Sequence, residues 1–217
     1  MKKVYEKDVV IIKNALEDMP VNWDGKRSII ALKEANFQWK QMEWIGFYFE
    51  YLCQVRLKNA GFTIPGKRYG NVEFDSFSSI NWDWKSSAIK SHNHKIILND
   101  QLAMDSSLDT YGYHGLILSL LDVEYNDDSR TFQQWHSELK GGVSEYEKDR
   151  IRRNATSRYR KTSAKMNQIL LLVIDKCNKD YLCIHKQGRN AGGQERNPKY
   201  MLDIETAHHF EVDRINF

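Results

Sequence analysis

The sequence predicts a mixed α/β fold, on three observations. Apolar residues recur at helical spacing near the N-terminus and again over 37–58. The period then switches to strict alternation over 72–75 and 80–85, and a continuous apolar run at 169–174 has the composition of a central strand. Helix, strand cluster, helix and strand in that order describe a single mixed α/β domain spanning 1–217.

Taken in order, Val4, Val9, Ile11, Ile12 and Leu16 predict a helix over 4–18, and a second short helix is expected over 27–35. The segment 37–58 contains no Pro and is followed by Asn59-Ala60-Gly61, a helix stop. Its apolar face is expected to be Trp44, Tyr48, Leu52 and Val55. A short strand over 61–65 ends in a Pro-Gly turn, and further strands are expected at 95–98 and within 116–125. A helix over 132–139 precedes a long basic helix over 145–168. Strands follow at 181–185 and 200–204.

Hydrophobic residues make up 41% of the chain and charged residues 28%, with only 3 Pro, which is a globular and not a low-complexity balance. No apolar run is long enough to span a bilayer, and the N-terminal apolar stretch is too short and too charged for a signal peptide, so a cytoplasmic protein without a membrane partner is expected. Cys53, Cys177 and Cys183 are an odd set without CxxC spacing and read as reduced, buried thiols.

The net charge of +3 is unevenly spread. Positions 148–165 hold eight Lys or Arg and a single acid, while 101–129 hold no Lys or Arg and six acids. A basic stripe on a nearly neutral chain points to a polyanion.

The chemistry is carried by 72–85. Folded as a hairpin centred near Ser79, this segment sets Asp75 opposite Asp83 and Glu73 opposite Lys85 on one face, with Val72, Phe74, Trp82 and Trp84 on the other, apolar face. Glu73 with Lys85 reads equally as an ordinary cross-strand ion pair. Like charges directly opposite destabilise a sheet, so the Asp75–Asp83 pair calls for a shared proton or a cation between its members. Oxygen ligands of this kind suit Mg²⁺ (with Mn²⁺ as substitute), which completes its shell with waters and phosphate oxygens, and a nearby Lys can hold a phosphate.

An acid, a short hairpin and then acid-x-Lys, here Asp75 followed by Asp83-Trp84-Lys85, resembles the PD-(D/E)xK nuclease motif. Asn71 to Asp75 lacks the motif's Pro, and seven residues separate the two acids. The preceding Gly46-Phe47-Tyr48-Phe49-Glu50 resembles the family's first helix, in which a Glu often supports the metal. A solvated surface Glu is the competing reading of Glu50. The resemblance covers about 37–100, taken as the catalytic core, and is closest to type II restriction endonucleases. It implies a restriction-endonuclease-like mixed central sheet flanked by helices and a homodimer acting on double-stranded DNA. It implies in-line hydrolysis leaving a 5′-phosphate and a 3′-hydroxyl, with Asp75, Asp83 and Glu50 or Glu73 at the metal and Lys85 orienting water or phosphate.

Two segments are candidate DNA contacts. Arg152, Arg153, Arg158 and Arg160 on the basic helix would meet phosphates. Arg189, Asn190, Gln194 and Arg196, in a Gly-containing loop over 185–200, are residue types that read base edges. Ser91-His92-Asn93-His94 reads as a polar turn rather than an HNH site. Two other functions fit the same residues. One is a structure-specific repair or recombination nuclease of the same fold, and the other is a non-catalytic nucleic-acid-binding protein in which the carboxylates are structural.

Overall fold

A computed structural model gives the fold; it describes residues 3–65, 74–89, 94–155, 159–189 and 193–217, apart from the Tyr146 side chain. Glu73, Val72, His92, Arg158 and Asn190 lie outside the described residues. Helix α1 (Glu6–Leu16), strand β1 (Asn22–Asp24), α2 (Gly25–Glu34) and α3 (Trp44–Asn59) precede β2 (Ser76–Phe77), β3 (Asn81–Ala88) and β4 (Lys95–Asp100). Then come α4 (Gln101–Tyr111), β5 (Tyr113–Glu124), α5 (Thr131–Leu139), α6 (Glu145–Arg152), β6 (Ser163–Asp175), β7 (Cys183–His185), β8 (Lys199–Asp203) and β9 (Glu211–Asn216).

The main sheet runs β1-β6-β5-β3-β2, with β9 also paired to β6. It is mixed: β3 and β5 are parallel, and the other pairs are antiparallel. The run at 169–174 is its centre because both of its faces are buried. Ile169, Leu171 and Val173 join Trp23, Phe49 and Trp84 under α1–α3, while Leu170, Leu172 and Ile174 join Met104, Leu202 and Phe210 on the opposite side. That second side is covered by α4 and by a smaller antiparallel sheet, β4-β8-β7. The expected mixed sheet flanked by helices is therefore present.

The turn between β2 and β3 is tied to α1 by one carboxylate. Asp8, fully buried, accepts from the Ser79 backbone N–H (2.9 Å), the Ser79 hydroxyl (2.8 Å) and the Trp82 indole Nε1 (3.0 Å). Ala at this position would strand those donors, and each buried unmet group costs about 1–3 kcal/mol. Asp8→Ala is expected to lower the unfolding free energy by about 3 kcal/mol or more, read as a lower urea midpoint at unchanged slope.

Several elements differ from the sequence expectation. The basic helix does not run over 145–168: α6 stops at Arg152, Asn154 takes a left-handed conformation (φ 52°), and 163–168 already belongs to β6. Helix α3 begins at Trp44 instead of 37, and its inward stripe is Ile45, Phe49, Cys53 and Leu57, with Val55 exposed. Over 61–65 there is a single bridge, Thr63 to Phe77, in place of a strand. Of the three thiols only Cys53 is buried; Cys177 and Cys183 are exposed. Helix α4, β1 and β9 had no counterpart in the sequence reading.

Candidate active site

The ladder keeps the predicted register but lies nearer the turn than expected: Ser76 pairs with Trp82 and Phe77 with Asn81, while Phe74 and Asp75 belong to no strand and Glu73 lies outside the described residues. Trp82 and Trp84 are buried against the helices, as expected of the apolar face, and Phe74 is half-buried. Strand β2 ends at this point, so among the described residues β3 has an open edge from Asp83 onward. Asp75 partly closes it. Its Oδ2 accepts the Trp84 backbone N–H at 2.7 Å, a donor that a longer β2 would have taken.

Asp83 and Lys85 pair in register with Leu116 and Leu118 of β5, so they share the face opposite Trp82 and Trp84. Glu50 comes from α3, which packs on the tryptophan side, with Gly46 seated against Ser86 of β3. A Cβ on Gly46 would lie 3.8 Å from the Ser86 hydroxyl, which measures how close the helix comes. The charges of Glu50, Asp75, Asp83 and Lys85 act on one another, so the four meet at the open edge of β3. Glu50 is half-buried rather than a solvated surface residue.

Their titration reflects this crowding. Burial, with the charges of Asp75 and Asp83 and against that of Lys85, lifts Glu50 to about 7. Burial and the Asp83 charge lift Asp75 to about 6, although Lys85 and the Trp84 N–H oppose the rise. Burial also works against ionised Asp83, but the hydrogen bond and charge of His114, the Lys85 charge and the Asn99 amide outweigh it and hold the carboxyl below its ordinary value. Lys85 is disfavoured by burial and yet raised, because Asp75, Asp83 and Glu50 surround it.

Sequence reasoning missed two residues here. His114, 1% exposed, bonds Asp83 Oδ2 through Nε2 at 3.0 Å, and Asn99 Nδ2 donates to the same oxygen at 2.9 Å. His114 is the second residue of β5, which can start at Tyr113 because Gly112, in the left-handed conformation (φ 76°), ends α4 just before it. Gly115 then lets the Trp82 ring lie where a Cβ would fall 2.3 Å from it.

The donor set is compatible with a hard cation. Among the described residues, Asp75 Oδ1 and Asp83 Oδ1 carry no hydrogen bond. No group of three or more His, Cys, Asp or Glu side chains among the described residues is arranged to hold an ion by itself. Mg²⁺ does not require one, since it takes one or two carboxylates and fills its octahedron with waters and phosphate oxygens.

The candidate DNA contacts separate. Arg152 and Arg153 are exposed on and after α6, and both pair with Asp149, at 3.6 and 3.0 Å. Arg160 is no surface contact. It lies outside any helix and is 7% exposed, its charge acts on that of Glu147, and its Nε and Nη1 atoms are buried and unpartnered among the described residues. The loop over 185–200 carries its own pairing. Arg189 bridges Glu195, the Arg196 N–H donates to the Gly188 carbonyl at 3.3 Å, and both Arg side chains are exposed with Gln194. The loop's described residues, up to Arg189 and from Gly193, continue from β7 and β8. Of the segment expected to form a polar turn, Ser91, His92 and Asn93 lie outside the described residues, and His94 faces Glu205 at 3.6 Å. No helix among the described residues is long and apolar enough to cross a membrane. No protein family, curated protein or solved structure matches the chain.

Proposed function

We propose that the chain is a Mg²⁺-dependent endonuclease of double-stranded DNA, of the sequence-specific restriction type and working as a homodimer. The observation that carries the reading is the convergence of Glu50, Asp75, Asp83 and Lys85 at the open edge of β3, with two carboxyls pushed up toward neutrality. Carboxyls whose charges act on one another beside one Lys, with two of them displaced upward, are the arrangement expected where a cation or a phosphate is to join them.

Asp75 and Asp83 would hold Mg²⁺ through their unbonded Oδ1 atoms. When bound, the ion polarises a phosphoryl oxygen and lowers the pKa of water. Lys85 holds a non-bridging oxygen of the scissile phosphate as a point charge. Glu50, titrating about 7, is matched to accept the proton of the attacking water, because a base works best near the operating pH. The exposed Arg189, Gln194 and Arg196 supply donors suited to base edges, and Arg152 and Arg153 supply backbone contacts.

The test is supercoiled plasmid incubated with Mg²⁺, with Ca²⁺ and with chelator, resolved on a gel. Discrete fragments in Mg²⁺ alone are the expected result. A smear would replace sequence specificity with indifferent or structure-specific cutting. A gel shift without cutting in any metal would leave a binding protein, and full cutting in chelator would remove the metal from the reading.

A further inference from the structure

Asp83 is buried beneath the site, and a buried carboxylate close to Asp75 would turn away or take a proton unless something held it. Two donors hold it, and both grip the same oxygen. A carboxylate can only accept, so the His114 ring nitrogen at 3.0 Å from Oδ2 is the protonated Nε2. The other ring nitrogen, Nδ1, is buried and has no partner among the described residues. A histidine kept for the fold is ordinarily bonded at both ends; among the described residues this one's polar contact is with Asp83. The Asn99 amide is oriented with equal definition. Its Oδ1 accepts the Asp100 backbone N–H at 2.8 Å, which directs Nδ2 to Asp83 Oδ2, and Asp100 in turn caps α4 by accepting from the Leu102 N–H at 3.0 Å. The β4–α4 junction and the start of β5 thus converge on one atom.

We infer that His114 and Asn99 are positioning residues of this site, fixing Asp83 by Oδ2 so that Oδ1 is left to bind a divalent cation. The inference rests on the metal-nuclease reading above. Partners that orient metal ligands in this way typically govern about 10–100-fold in metal affinity.

Mn²⁺ binding to the DNA-free protein, followed by electron paramagnetic resonance, tests it without any cleavage. The variants are His114→Leu, which removes the donor, His114→Gln, whose amide can reach the same oxygen, and Asn99→Ala; Asp75→Asn locates the ion. His114→Leu is expected to weaken Mn²⁺ binding about 10–100-fold and His114→Gln to restore most of it. Asn99→Ala is expected to weaken binding within the same range. Unchanged Mn²⁺ affinity in folded His114→Leu would overturn the inference and leave His114 a core residue. Should His114→Leu not fold, Asn99→Ala decides, and wild-type affinity there overturns it equally. Failure of the underlying reading looks different: the wild-type protein would bind no Mn²⁺, or would bind it just as well with Asp75→Asn.

Discussion

Asp75→Asn should give a protein that is more stable than the wild type near pH 8 and slower at cutting DNA by about a thousandfold. Both halves follow from the same crowding. Asp75 keeps its place by accepting the Trp84 N–H at 2.7 Å, a bond that an Asn side-chain oxygen can also accept. What the substitution removes is the charge. In the folded chain the carboxyl titrates about 6, up from an ordinary 3.8, so holding it ionised costs up to about 3 kcal/mol at 1.36 kcal/mol per unit, less whatever solvent screens. An expected gain of about 1–3 kcal/mol in unfolding free energy is the stability that the wild type forgoes. A lost metal ligand takes several kcal/mol from the transition state, and about 4 kcal/mol is a factor of a thousand. Urea unfolding and plasmid-cutting rates on the same preparation read both. A joint fall in stability and rate would mean that Asp75 serves the fold. Asp83→Ala is the poorer probe, because it would strand the donors of His114 and Asn99 in the interior and confound lost chemistry with lost folding.

The parts of this site legible in the sequence were those written in local pattern. Alternation over 72–85 gave the hairpin register, because a slip of one residue would bury every charge, and the run at 169–174 gave the central strand. His114 had no such signal: it is 31 residues from Asp83 in sequence and comes beside it only through the parallel pairing of β5 with β3. Asp8 did leave a trace, as an acid among Tyr5, Val9, Ile12 and Leu16 on the inward side of α1. A charge on an apolar face asks which buried donors it serves. Helix α4 was invisible to periodicity because Met104 and Leu108 are its only buried apolar residues; its signals were the caps, Asp100 at one end and Gly112 at the other. The basic helix was drawn too long because nothing in 153–162 is Pro or Gly. Asn154, a residue that tolerates the left-handed conformation, ends it instead. Counting charge from 148 also left out Glu145 and Glu147, which pair with Lys148 and Arg150.

When metal is withheld, Asp75 and Glu50 should each take stability from the fold as pH rises. Asp75 and Glu50 have folded pKa values of about 6 and about 7, both above their ordinary values. Each therefore adds stability that is complete below its ordinary carboxylate pKa and is lost as pH rises through the folded value. Asp83 is displaced downward, so its contribution is present above the ordinary carboxylate pKa and disappears only in acid. Lys85, displaced upward, keeps its contribution until alkaline pH. Between about pH 5 and pH 8 Asp75 and Glu50 pull stability down as pH rises, while His136, whose ring burial pushes down to about 4, pulls it up below about pH 6.5. In chelator the two carboxyls should take away roughly 3 kcal/mol across that window once solvent screening is allowed for, read as the difference in slope between the wild type and variants that keep His136. Mg²⁺ binds the ionised carboxylates of the folded state alone, so its stabilising effect should be small near pH 5 and grow toward pH 8. Calorimetric Tm values in chelator and in millimolar Mg²⁺ across the window supply the measurement, with Asp75→Asn and Glu50→Gln each expected to flatten the metal-free slope. A metal-free slope that is the same in the wild type, Asp75→Asn and Glu50→Gln would dismiss the carboxylate crowding. A Mg²⁺ effect equal at both ends would place the ion away from these two groups.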